Sequence, residues 1–205
     1  KAFGRPTQIG LFGYKVCKIV LQKGISALSS QLGIQFEFID QATDLERVTQ
    51  EIQSADRVAI DTEADSMHHY YAKVCLIQMA IGETYYIIDP LADLDFFPML
   101  DALSQTELIL HGADYDLRML RLSFDFHPQK PIFDTMLAAQ LLGYERFGLT
   151  SLVQELFNVT LTELGKRTDW SKRPLKREQL EYACNDTRFL QPMADLFIQK
   201  MIDMG

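Results

Sequence analysis

Three acidic groupings in this sequence have residue types and spacings suited to chemistry. In Val58-Ala59-Ile60-Asp61-Thr62-Glu63 an apolar run ends in two carboxylates one residue apart. Alternate side chains of a strand share a face, so Asp61 and Glu63 would project together from its end. Side-by-side carboxylates repel, and their charged forms are sustained only by a cation or a proton. A plain strand-end turn would account for the same residues taken alone. The second grouping is His111-Gly112-Ala113-Asp114-Tyr115-Asp116-Leu117. Here a strand running through glycine into a helix places Asp116 in the first helical turn, where the helix dipole favours negative charge. Helix capping would explain either Asp114 or Asp116 equally well. The third is Tyr182-Ala183-Cys184-Asn185-Asp186. Residues four apart share a helical face, so the Tyr182 hydroxyl and the Asp186 carboxylate can converge on one site. An ordinary Tyr–Asp hydrogen bond on an amphipathic helix is the plainer alternative.

The elements that must position these groups can be traced from Phe36 onward. Phe36–Ile39 alternates as a strand, and Thr43-Asp44-Leu45-Glu46 fits a capping box opening a helix to about Ser54. Strands are expected over Arg57–Thr62, Lys73–Ala80 and Thr84–Ile88, the last two joined at Gly82-Glu83 and the last closed by Asp89-Pro90. A polar turn, Ala64–His69, separates the first of them from the second. Then the period changes. Leu94–Leu103 and Asp114–Leu122 read as helices around a short strand, Leu108–Leu110, and Asp134 is placed to cap a helix Thr135–Leu142 after the strand Ile132-Phe133. The remainder is mostly helical, with a long segment from Lys176 to Met201 interrupted at Pro192. Strands first and helices interspersed later imply an α/β fold, a mixed central β-sheet flanked by α-helices. Residues 36–205 are expected to form one domain, and residues 1–35 an N-terminal extension to which no function is assigned.

The chain of 205 residues, 47 % hydrophobic, can bury one substantial core. No apolar run approaches a membrane span, so no membrane partner is expected. Cys17, Cys75 and Cys184 form neither a CxxC pair nor a zinc spacing, which suits reduced thiols in a cytoplasm-like compartment. A net charge of −8 speaks against a generic polyanion binder. The objection is limited, because acids gathered at a divalent-metal site count toward that sum without repelling a metal-bound phosphate. Positive charge is instead local: Lys166, Arg167, Lys172, Arg173, Lys176 and Arg177 lie in one run leading into the Tyr182–Asp186 segment. That run could contact the phosphates of terminal nucleotides, or be a solvated face.

In the order Asp-x-Glu, Asp, Tyr-x-x-x-Asp the three groupings are far more specific than any one alone. The pattern resembles the Tyr-containing branch of the DEDD superfamily of 3′→5′ exonucleases, with the nearest likeness to ribonuclease D and its relatives. The likeness extends to Tyr70-Tyr71, Val74-Cys75-Leu76-Ile77-Gln78, Phe133-Asp134-Thr135 with Ala138-Ala139, and Arg167-Thr168-Asp169-Trp170-Ser171-Lys172-Arg173-Pro174-Leu175. It implies an RNase H-like exonuclease fold and two divalent cations held by Asp61, Glu63, Asp116 and Asp186. Hard oxygen donors suit Mg²⁺ or Mn²⁺. Tyr182 is a poor base at neutral pH, and its expected role is to orient the attacking water. Thr62, His68, Lys166 and Arg173 are the expected substrate contacts. His68, Tyr70 and Tyr71 could stack on a splayed 3′ base or be rim residues, whereas His111 and His127 read as structural. One departure stands out: Glu163 occupies a position where relatives usually carry Lys.

The expected function is a metal-dependent 3′→5′ exoribonuclease that removes 5′-mononucleotides from the free 3′ end of single-stranded RNA. A DNA exonuclease is the alternative, and a non-catalytic nucleic-acid-binding module on the same fold comes behind it. A carboxylate-metal phosphatase fits the spacing and the Trp-containing basic run less well. Nothing in the sequence fixes an oligomeric state.

Overall fold

A computed structural model describes residues 35–65, 72–162 and 168–204. Apart from Gln35, the expected N-terminal extension lies outside the described residues. Six strands, β1 (Glu37–Ile39), β2 (Arg57–Ala64), β3 (Val74–Ile81), β4 (Thr84–Ile88), β5 (Glu107–Leu110) and β6 (Ile132–Asp134), form one sheet in the order β1-β4-β3-β2-β5-β6. The helices among the described residues are α1 (Ala42–Ser54), α2 (Phe97–Ser104), α3 (Asp114–Phe124), α4 (Thr135–Leu141), α5 (Leu149–Phe157), α6 (Arg177–Arg188) and α7 (Leu190–Met204). β3 is antiparallel to both its neighbours, while β1–β4, β2–β5 and β5–β6 pair in parallel. The mixed sheet flanked by helices is the architecture expected from the sequence. β2, β4 and β5 therefore end at the same edge, the place where an open α/β sheet offers a crevice.

The apolar alternation of β2 divides its side chains between two cores. Val58 and Ile60 join Ile77, Met79, Leu108 and Leu110 in the larger core, against α1, α2 and α3. Ala59 turns the other way and packs with Ala80 and Ile109 on Leu190 and Ala194 of α7. By the same alternation Thr62 faces the α3 side, and Asp61 and Glu63 face the side covered by α6 and α7. Burial on both faces explains why β3 reads as a nearly continuous apolar run.

Two local expectations are corrected. The capping box at Thr43 does not form: the Leu45 N–H donates to the Gln41 carbonyl at 3.1 Å, so α1 has begun before Thr43 and Gln41 is its N-cap. The long C-terminal helix breaks at Phe189, ahead of Pro192. Pro192 is the third residue of α7, where its missing N–H would have had no helical acceptor in any case. No helix among the described residues is long and apolar enough to cross a membrane.

Candidate active site at the carboxyl end of the sheet

Asp61 and Glu63 leave β2 on the face covered by α6, and Asp186 enters from that helix. Carboxylate oxygens of these three residues all lie within 4.8 Å of one another, and each residue is partly buried. The cross-strand register sharpens the geometry. Glu63 pairs with Leu76 but Ala64 with Val74, leaving Cys75 of β3 without a partner in β2. This bulge bends the ladder at the end of the strand that carries the acids.

Such a cluster is unstable as a set of bare anions. Burial, followed by the charges of Asp186, Asp116 and Glu63, pushes Asp61 well above the carboxylate range. Burial and the charges of Asp186 and Asp116 push Glu63 up to about 8. Asp186 rises to about 7, mainly through burial, although a hydrogen bond from Tyr182 favours its charged form. Three close oxygen donors that ionise with difficulty on their own form a site that a divalent cation could occupy.

Asp116 stands beside this trio, outside the group within 4.8 Å. It sits in the first turn of α3, buried, and its Oδ1 accepts from the Thr62 backbone N–H at 3.0 Å and from the Thr62 hydroxyl at 2.6 Å. Burial raises its pKa while the Thr62 hydrogen bonds oppose the rise. The residue between the two β2 acids thus fixes the fourth acid from the opposite face of the strand. The start of α3 is fixed in turn by Asp134. Its carboxylate accepts backbone N–H bonds from Gly112 (3.0 Å), Ala113 (2.9 Å), Met136 (2.9 Å) and Leu137 (3.2 Å), tying the first turns of α3 and α4 together. Gly112 has φ +75°, and a Cβ there would meet the Met136 side chain at 3.1 Å, so glycine suits this turn on both counts.

Tyr182 projects from α6 one turn before Asp186 and hydrogen-bonds to it. Burial and the surrounding carboxylates hold its hydroxyl protonated far above neutral pH, so it is a donor here and not a base. Its ring packs against Trp170 in a tilted contact, at a centroid separation of 6.1 Å and an interplanar angle of 34°.

Of the expected substrate contacts, His68 and Lys166 lie outside the described residues, as do Tyr70, Tyr71, Arg167 and Glu163. Thr62 is placed, but its hydroxyl is engaged by Asp116. Arg173 is committed to the protein's own groups. Nε and Nη2 grip the two Asp89 oxygens at 2.6 and 2.7 Å, Nη2 also reaches the Cys75 carbonyl at 2.8 Å, and Nη1 donates to the Trp170 and Lys172 carbonyls at 2.8 and 2.9 Å. Two more members of the basic run have partners nearby: Lys172 with Asp169 at 3.2 Å and Arg177 with Glu181 at 2.7 Å. His111 shares a hydrogen bond with Thr135 at 2.9 Å, within the framework around Asp134.

Sequence reasoning missed three features. The roles of Asp89 and Asp134 depend on partners far away in the chain, and Asp134 showed locally only as a helix cap. Gln78, paired across the sheet with Asp61, is fully buried, and neither polar atom of its side chain has a partner among the described residues. An amide inside an apolar strand was its one visible signal.

Comparisons with known proteins bear on this arrangement. A family model described as 3′-5′ exonuclease matches residues 36–203. Ribonuclease D of Zymomonas mobilis is 37 % identical over 174 residues, covering 81 % of this chain and 43 % of that protein. The structure of Escherichia coli RNase D, an exoribonuclease involved in structured RNA processing, superposes with a TM-score of 0.75 at 31 % identity, over 82 % of this chain and 46 % of that one. Brucella melitensis NrnC with bound Mg²⁺ superposes with a TM-score of 0.68 at 28 % identity, over 85 % of this chain and 84 % of that one. The chain spans less than half the length of the ribonuclease D proteins it matches.

Proposed function

The chain belongs to the 3′-5′ exonuclease family, on its ribonuclease D-like branch, and from that premise we propose that it removes nucleotides one at a time from the free 3′ end of single-stranded RNA, releasing 5′-monophosphates. The observation that carries this reading is the meeting of Asp61, Glu63 and Asp186 oxygens within 4.8 Å. In this reading those three carboxylates, joined by Asp116, hold two divalent cations. Mg²⁺ or Mn²⁺ is the natural choice for an all-oxygen donor set, and NrnC binds Mg²⁺ on a related scaffold. Ions held there would supply Lewis acidity, lowering the pKa of a bound water and offsetting charge on the leaving 3′ oxygen.

The chain's own residues do the rest. The Thr62 hydrogen bonds keep one Asp116 oxygen fixed and its charge favoured. Tyr182, protonated across the working pH range, gives its one O–H to Asp186, and its hydroxyl oxygen accepts from the water and orients it for in-line attack. The Trp170 ring backs that phenol, so the donor has little freedom to turn away. With the Arg173 donors taken up by Asp89 and backbone carbonyls, contact with the terminal phosphates falls to the rest of the basic run, Lys166 included, and His68 is the proposed stacking partner of the last base.

RNA is favoured because Escherichia coli RNase D is an exoribonuclease. DNA is the second reading, since the matching family model specifies direction and not sugar. End-labelled single-stranded RNA and DNA of one sequence, each with a free or a blocked 3′ end, test both. Stepwise shortening of the free RNA with Mg²⁺ or Mn²⁺ is expected, with none from the blocked ends. Shortening that persists in EDTA would overturn the metal-dependent reading.

A further inference from the structure

The Thr168–Lys176 loop runs into α6 and carries Trp170, the chain's one tryptophan, whose ring packs on Tyr182. The loop has no ladder or helix of its own to hold it, so its position rests on side-chain anchors. An Asp169 turn closes its first part, with the Ser171 backbone N–H and hydroxyl donating to Asp169 Oδ1 at 3.1 and 2.6 Å. Arg173 is a long-range anchor. A guanidinium has five N–H donors in a planar fork. Here all five are engaged: two on Asp89, one on the Cys75 carbonyl and two on the loop's own Trp170 and Lys172 carbonyls. The side chains of Arg173 and Asp89 are 26 % and 8 % exposed.

Each end of this connection matters to the site. Cys75 is the bulged residue opposite the β2 strand end that carries Glu63, and a bulge is where a strand carbonyl leaves the ladder and becomes available to another donor. Asp89 follows the last residue of β4, and its backbone N–H donates to the Ile39 carbonyl at 3.0 Å. One guanidinium therefore binds the loop to two strands at the edge of the sheet where the acids gather. From the loop, the path to the reaction is one ring contact long: Trp170 to Tyr182, whose hydroxyl meets Asp186.

We propose that Arg173 and Asp89 are positioning residues for the reaction: they fasten the Thr168–Lys176 loop to the sheet, and through Trp170 that loop fixes where Tyr182 stands beside the carboxylates. This rests on the exonuclease reading above. It differs from the sequence expectation that Arg173 holds a substrate phosphate, and the difference is measurable. A phosphate contact acts chiefly on KM, whereas a misplaced donor acts on kcat.

The test uses the full chain and the variants Arg173→Lys and Asp89→Asn. Arg173→Lys keeps a charge facing Asp89 but loses the fork, and Asp89→Asn removes the charge but keeps the shape. With Mg²⁺ and single-stranded RNA, each is expected to lower kcat roughly 10–100-fold, the scale of a misplacement of about 1 Å, with KM within about threefold. Trp170 emission is expected to shift to the red and to be quenched more readily by acrylamide. Adding Tyr182→Phe to Arg173→Lys should cost less than Tyr182→Phe costs alone, because the two act through one hydroxyl. A rise in KM with kcat unchanged would overturn the proposal and return Arg173 to the phosphate. Trp170 emission unchanged in both variants would overturn it too, whatever the activity, as would fully additive losses. If the unaltered protein shortens neither RNA nor DNA, the exonuclease reading fails by itself, and the fluorescence comparison still decides the anchor.

Discussion

Glu63 and Asp186 keep their protons into the neutral range because burial and neighbouring carboxylates oppose ionisation, with pKa values of about 8 and about 7. In the unfolded chain the same groups ionise near 4.5 and 3.8. Between those values the unfolded state has released protons that the native state still binds, so the metal-free protein loses stability as pH rises from about 4 to about 8. A bound divalent cation removes the penalty by favouring the charged forms. Glu63→Gln should therefore raise the melting temperature of the metal-free protein by about 2–6 °C near pH 8 and leave it nearly unchanged near pH 5. A variant that melts with the parent at both pH values would show that Glu63 carries no such strain. At this scale the sequence was legible wherever spacing alone brings groups together: one residue apart on β2, four apart on α6. It was silent on Thr62–Asp116, Arg173–Asp89 and the buried Gln78 amide, because their partners are set by the tertiary fold.

The carboxylates converge only because their elements begin and end in register. Asp134 illustrates this, since one side chain caps α4 and also holds the two residues that lead into α3 and Asp116. Asp134→Ala removes acceptors from two helix starts at once and is expected to cost about 2–4 kcal/mol in urea unfolding, with a loss of activity at temperatures where the variant remains folded. A cost within about 0.5 kcal/mol, the range of an ordinary surface substitution, would mean that the two helices hold their places without it. Element types were readable from period and apolar runs, and β4 matches its expected span residue for residue. Boundaries were less so. At α1 the Gln41 carbonyl starts the helix ahead of the Thr43 signal, and at α7 a proline tolerated in a first turn does not mark the break.

At the scale of the whole chain, the sheet order places the ends of β2, β4 and β5 at one edge, and the late helix α6 returns to cover it. Residues from both halves of the sequence thus meet in a family fold whose matched portion runs from 36 to 203. The net charge of −8 is compatible with a polyanion substrate if the clustered acids are neutralised by bound cations. That makes cation binding by Asp61, Glu63 and Asp186 the central claim, and it can be measured without any substrate. Metal-free protein is titrated with Mn²⁺ near neutral pH while free Mn²⁺ is followed by its electron paramagnetic resonance signal, for the parent chain and for Asp186→Asn. The parent should hold free Mn²⁺ below the total added until two ions per chain are bound, and Asp186→Asn should weaken or abolish that uptake while remaining folded. Free Mn²⁺ that tracks the total in the parent, or an Asp186→Asn variant that binds as the parent does, would contradict the account.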